Sequence, residues 1–392
     1  MAAPESTGAQ VAAGVDAARR AVAAVFVLNG FLFASWVSRI PDVRDTFELS
    51  NGALGLLLLV IAVGSVGALP TTGAAIGRWG TVRVLRAGVV TAAVGLGAAA
   101  VGLGSSLVLT AAGLLAYGVG IGVWDVAMNV EGAEVERHLE RTVMPRFHAG
   151  FSLGTVVGAL LGAAVIAVGV PGWAHLLAAV AVATAIAWPG AGSFLPVVVV
   201  DDEDRSPAAA AWLEPRTLMI GVMVLALALA EGTANDWLAV ALVDGHGVSH
   251  AVGVAGFGIF VAAMTVTRFV GTNLLDRYGR AVVLWSTMAV AALGVVLIVF
   301  GSGLVVVLGI VLWGAGASLG FPVGMSAAAD DPVHAAARVS VVSTIGYGAF
   351  LAGPPLLGFV ADDVGTLRAL LVVPVLLVPA ALVVPAARRS TR

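Results

Sequence analysis

Twelve times along this chain the sequence stays apolar for long enough to cross a bilayer, and that leaves it few folds to choose from. Roughly 20 helical residues cover the ~30 Å of hydrocarbon. In lipid every backbone N–H and C=O must find its partner inside the chain, so such spans are helices or the strands of a closed barrel. A barrel would show ten-residue segments of alternating polarity. Here the runs are continuous Leu, Ala, Val and Gly, and the expectation is an all-α, multi-pass membrane protein. Charged residues make up 11% of the chain, against roughly 25% in soluble domains. That is too few to cover a surface facing water. Fifty glycines read as close helix contacts and bends.

The spans are expected near residues 20–40, 51–75, 82–103, 106–130, 146–169, 173–195, 216–243, 250–272, 281–301, 304–328, 335–360 and 366–386. The one long polar connection, with its acidic run at Asp201, divides the chain into halves. This gives a cytoplasmic tail at 1–19, a six-helix bundle at 20–196, a linker at 197–215, a second bundle at 216–386 and a tail at 387–392. The apolar run opens only after a polar stretch, so the first helix reads as an uncleaved anchor.

Sidedness follows from the basic residues, all 20 of which are arginine. With the amino terminus inside, the inner loops hold Arg19, Arg20, Arg78, Arg83, Arg86, Arg137, Arg141, Arg146, Arg205, Arg216, Arg277, Arg280, Arg338, Arg388, Arg389 and Arg392. The outer side holds Arg39, Arg44 and Arg368, and Arg268 lies within a helix. Such an excess places both termini in the cytoplasm, in a bacterial inner membrane.

The halves repeat each other. Trp36 falls opposite Trp237, and GRWGTVRVL from Gly77 parallels DRYGRAVVL from Asp276. Tyr117, Gly118 and Gly120 match Trp313, Gly314 and Gly316, while Arg146, Ser152 and Gly154 match Arg338, Thr344 and Gly346. Duplicated transporters place their site between the halves.

Ionisable groups at membrane depth are costly and mark functional sites by default. Asp125 and Asn129 are four residues apart and so share a helix face. Asp125 is the leading proton-linked group, though pairing with Arg146 or a loop arginine to close a cytoplasmic gate is the other reading. Glu231 lies roughly 22 Å along its helix from Arg216 and is the second proton-linked group, with Asn235 on its face and Arg268 a candidate counter-charge. Asp236 reads as an outer-lip residue in water. Asn29, Trp36, His148, Trp237, Trp313 and Tyr347 complete the expected substrate cavity, with interfacial anchoring the bland reading for Trp36 and Trp237. Glu131, Glu134 and Glu136 read as a solvated loop. Gly150, Gly154, Gly158 and Gly162 form a close-packing stripe, and Pro322, Pro354 and Pro355 read as bends.

The turns at Arg78 and Arg277 resemble the signature loop of the major facilitator superfamily: Gly, three residues, acid, Arg, any, Gly, basic. Asp276, Arg277, Gly279 and Arg280 match it in the second half. Gly73, Arg78, Gly80 and Arg83 match in the first, with Gly77 where the acid stands. The resemblance implies two pseudo-symmetric six-helix bundles and a cytoplasmic latch or gate built from Arg78, Arg83, Arg146, Asp276, Arg277, Arg280 and Arg338. Gly120, Gly122, Asp125, Asn129, Phe151, Ser152 and Gly154 resemble the fucose permease branch, whose helix-four acid is associated with proton coupling. That branch's other acid falls at Val37 here. The segments ASWVSRIPDVRD, NVEGAEVER, AEGTANDWL and GASLGFP are most similar to the YbjJ-type bacterial inner-membrane proteins of the superfamily.

The chain has no cysteine, which excludes disulfides, thiolate catalysis and cysteine metal sites. There is no phosphate-cradling glycine loop, no metal-spaced cluster and no basic reading helix, so no cofactor and no nucleic acid is expected. No nucleophile, base and oxyanion site can be assembled, so the chain is not expected to be an enzyme. The expected function is proton-coupled alternating-access transport of a small organic solute by a monomer in the lipid bilayer. An exporter of amphipathic compounds and a non-transporting solute sensor are the rival readings.

Overall fold

The structure, a computed structural model, describes residues 5–139, 143–195, 211–328, 330 and 335–388. Among the described residues there is no strand, and twelve helical spans are long and apolar enough to cross a membrane. The linker expected at 197–215 lies outside the described residues as far as position 210, and so do Arg141, Arg205, Arg389 and Arg392.

The chain forms two compact units, one of residues 1–47 and 60–200, the other of 48–59 and 201–392. The first holds α1 (Glu5–Val37), the short α2 (Ile40–Thr46), most of α3 (Asn51–Trp79), α4 (Thr81–Gly102), α5 (Leu107–Leu139), α6 (Met144–Ala167) and α7 (Gly172–Gly190). The second holds α8 (Pro215–His246), α9 (His250–Phe300), α10 (Leu304–Ala317), α11 (Gly320–Ala328), α12 (Ala335–Val364), α13 (Thr366–Ala369) and α14 (Val372–Val383). Gly279, at φ 75°, ψ 160°, turns α9 into two spans, and Gly80, at φ 81°, ψ 155°, makes the same turn between α3 and α4. Only glycine enters that region without strain.

The sequence repeat is also a packing repeat. In the first unit α4 lies along α5 and α1 along α6; in the second, the latter part of α9 lies along α10 and α8 along α12. Helices this apolar gain little from leaving lipid for one another, so association rests on close backbone approach. A side-chain carbon at Gly118 would collide with the Ile61 carbonyl, and one at its counterpart Gly314 with the Phe260 carbonyl. Gly120 meets Ala92 as Gly316 meets Ala291. The stripe on α6 packs onto α1, with Gly154 against the Val27 carbonyl, Gly158 against Phe31 and Gly162 against Ser38.

Three features differ from expectation. Helix α1 begins at Glu5, inside the expected tail. Helix α5 runs on to Leu139, because its carboxylates find partners there. The tenth span is broken at Ser318 and Leu319, between α10 and α11. In the second unit Asp362 also accepts from the backbone N–H groups of Asn51 and Gly52, both at 2.8 Å. It thereby satisfies two of the four orphan donors at the start of α3.

Candidate functional site

Within the first unit, α5 carries Asp125 and Asn129 on one face. Asn129 Nδ2 donates to the Asp125 backbone carbonyl at 2.8 Å and to its Oδ1 at 3.3 Å. Asp125 is half-buried. Among the described residues Asn129 is its hydrogen-bond partner and no arginine pairs with it; Arg146 is exposed at the start of α6. On α1, Asn29 is 5% exposed and its Nδ2 has no partner among the described residues. An unmet donor at membrane depth costs about 1–3 kcal/mol, so Asn29 has hydrogen-bonding capacity to spare. His148 is exposed, its ring 5.1 Å from Phe26 and edge-on to it.

The glutamates that follow Asp125 are not the solvated loop expected of them. Glu131 is fully buried and accepts from the Leu195 N–H at 2.5 Å, fastening the end of α5 to the chain beyond α7. Glu134, also buried, pairs with Arg137 and with His138 at 3.2 Å. Glu136 accepts from the N–H groups of Val143 and Met144, at 2.7 and 2.8 Å, and caps α6.

Within the second unit, Glu231 on α8 meets Arg268 on α9. Nη2 of the arginine lies 3.2 and 3.4 Å from the two carboxylate oxygens, and its Nε donates to the Ser318 carbonyl at 3.1 Å. One guanidinium therefore holds both a carboxylate and the break in the tenth span. Asn235 and Asp236 are half-buried, so Asp236 is not the lip residue in water that its position suggested. Tyr347 is half-buried, 6.3 Å from Phe350.

The tryptophans expected to line a cavity are closed off: Trp36 is 2% exposed, Trp237 1% and Trp313 0%. Trp313 packs edge-on to Phe260 at 5.4 Å. Their large apolar bodies fill space between helices, which removes all three from the expected stacking surface, and Trp36 and Trp237 from the interfacial belt.

The arginine-rich ends of the two units differ. In the second, Arg280 and Arg216 converge on Asp330 at 2.7 and 2.8 Å, and Arg338 pairs with Glu214 at 2.6 Å. The expected latch acid, Asp276, is exposed and pairs with no described residue, and Arg277 lies over the Tyr278 ring at 5.2 Å. Asp330, which sequence reasoning did not single out, gathers these arginines instead. The apolar α11 ends just before it, where a carboxylate can meet the arginines of two other helices. In the first unit Arg78 and Arg83 are exposed.

A further cluster was missed. Arg39, counted from the sequence on the outer side, is 2% exposed. It donates to Asp42 at 2.6 Å, to His175 Nδ1 at 3.1 Å and to the Val170 carbonyl at 3.0 Å. The Arg-Ile-Pro-Asp spacing at the end of α1 was its only signal.

A family model described as the Major Facilitator Superfamily matches residues 21–354. An uncharacterised transporter of Sinorhizobium fredii, y4wD, is 34% identical over 351 residues, 88% of this chain and 91% of that protein. An uncharacterised MFS-type transporter of Yersinia pestis is 31% identical over 342 residues, 86% and 87% of the two chains. Among solved structures, a point mutant of the nucleoside transporter NupG superposes with a TM-score of 0.80 at 14% identity, covering 94% of this chain and 99% of that one. A point mutant of the E. coli fucose:proton symporter FucP does so at 0.67 and 16%, covering 95% and 98%.

Proposed function

Because the chain belongs to the Major Facilitator Superfamily, we propose that it moves a small organic solute across a bacterial inner membrane by alternating access coupled to protons. That it is a transporter and not an enzyme follows from the family and its relatives. The solute, the coupling and the sidedness, with both termini cytoplasmic, are our reading. So is its action as a monomer.

The observation that carries this reading is Asp125: a carboxylate within the span Leu107–Leu139, half-buried, with no cation beside it among the described residues. A lone charge there is costly, and a proton removes the cost, so uptake and release of that proton can be tied to which side the site faces. Glu231 differs in being balanced by Arg268 at 3.2 Å. We assign it as the second coupled group, one that exchanges its arginine for a proton or for a polar group of the solute. Asn29, with its unmet donor, and the half-buried Asn129, Asn235 and Tyr347 supply hydrogen bonds to that solute.

The test begins with thermal-shift screening of the purified protein against sugars, amino acids, nucleosides and amphipathic drugs, since a bound solute stabilises the folded state. The labelled hit is then followed in proteoliposomes carrying a pH gradient. Uptake driven by the gradient in wild type and lost in Asp125→Asn supports the reading. An Asp125→Asn protein that still follows the gradient removes Asp125 from it, and a hit confined to drugs with outward flux makes the chain an exporter.

A further inference from the structure

On the first unit, the end of α3, the start of α4 and Val123 of α5 enclose an open groove of about 610 Å³. Ala75, Val84 and Ala87 face into it. Thr71 and Thr72 also line it, but their hydroxyls donate to the Ala68 carbonyl at 3.0 and 2.8 Å, so its walls are apolar in effect. Arg78, Trp79 and Arg83 line it as well, all exposed. Arg78 lies 5.9 Å from the Trp79 ring centre, and neither arginine has a carboxylate partner among the described residues.

The equivalent turn of the second unit carries acid beside its arginines. Asp276 stands where Gly77 stands, and Arg280 is held by Asp330 at 2.7 Å and Ser326 at 2.8 Å. The first turn keeps two guanidinium groups without counter-charge over an apolar slot.

We propose that this groove binds an anionic phospholipid, its phosphate between Arg78 and Arg83 and an acyl chain along α3 from Trp79 to Thr71, roughly 12 Å by helical rise. The guanidinium fork suits a phosphate oxygen pair, and tryptophan favours the headgroup level. A soluble phosphate would leave the apolar slot unexplained, and an apolar peptide would leave the cations so. A basic residue near anionic lipid is worth about fivefold in occupancy, so the pair should prefer anionic to zwitterionic lipid by about 25-fold.

The experiment counts lipid bound to the full-length protein in non-ionic detergent by native mass spectrometry, with phosphatidylglycerol and phosphatidylcholine of identical chains as probes. Wild type should retain phosphatidylglycerol roughly 25-fold better, and added salt should shrink the difference. Arg78→Gln with Arg83→Gln should bring the two lipids level. Gly77→Asp is the second test, at a helical position where a new side chain meets nothing within 4 Å. It restores the missing acid and should erase most of the preference without lowering the unfolding midpoint. Arg277→Gln should leave the preference intact. Equal retention of both lipids by wild type, an unchanged preference in Gly77→Asp, an equal loss in Arg277→Gln, or displacement by inorganic phosphate at the same concentration would each overturn the assignment.

Discussion

Arg268 and Glu231 meet across two membrane helices, Nη2 to carboxylate at 3.2 and 3.4 Å. Their side chains are 30% and 23% exposed, so the pair is screened more than a fully buried one, for which loss of a partner costs about 3–5 kcal/mol. Glu231→Ala and Arg268→Ala should each destabilise by about 1–3 kcal/mol. The double substitution should cost less than their sum. Thermal unfolding of the four proteins in one detergent completes the cycle, and additive losses would mean that the contact carries nothing.

Asn129 offers a finer probe than Asp125. Asn129→Ala removes two hydrogen bonds from one helix turn and should cost about 1 kcal/mol while flux still responds to a pH gradient. Asp125→Asn should do the reverse, leaving the melting temperature close to wild type and abolishing the response.

The glycine stripe on α6 sits directly against α1 backbone. A methyl at Gly154 would fall on the Val27 carbonyl, and backbone cannot step aside as a side chain can. Gly154→Ala should therefore destabilise by about 2 kcal/mol or more. Gly73→Ala, where nothing lies within 4 Å of the new carbon, should be neutral or stabilise by about 0.5–1 kcal/mol. A matched pair of unfolding curves checks both.

Arg39 satisfies three acceptors from a nearly closed position. Arg39→Lys keeps the charge but offers a single ammonium where a planar fork reached three ways. A loss of about 3 kcal/mol is expected, read as a drop in unfolding midpoint. Full stability in the lysine protein would show that charge alone suffices.

The spans were legible because lipid allows little else: runs of Leu, Val and Ala at crossing length fix both helix and position. The repeat was legible because glycine is required wherever backbones touch, so Gly118 and Gly314 recur at matching places. The polar residues were harder. Glu131 looked solvated because it followed the apolar run, yet its partner is the Leu195 amide, 64 residues on, which no local pattern announces. Asp276 carried the motif while Asp330 carries the contact, because the motif fixes the turn and the meeting of three chain segments fixes the pairing. Trp36 and Trp237 have the composition of a binding surface, but only coordinates show whether an aromatic face meets a void or a neighbour.

The tenth span is not a continuous rod: at Ser318 its backbone is interrupted, and the carbonyl freed there is gripped by the arginine that also grips Glu231. A joint in one helix and a charge on another thus share a single clamp. Taking the carboxylate away would leave the arginine holding that joint alone, so the state of one residue bears on the course of a whole helix.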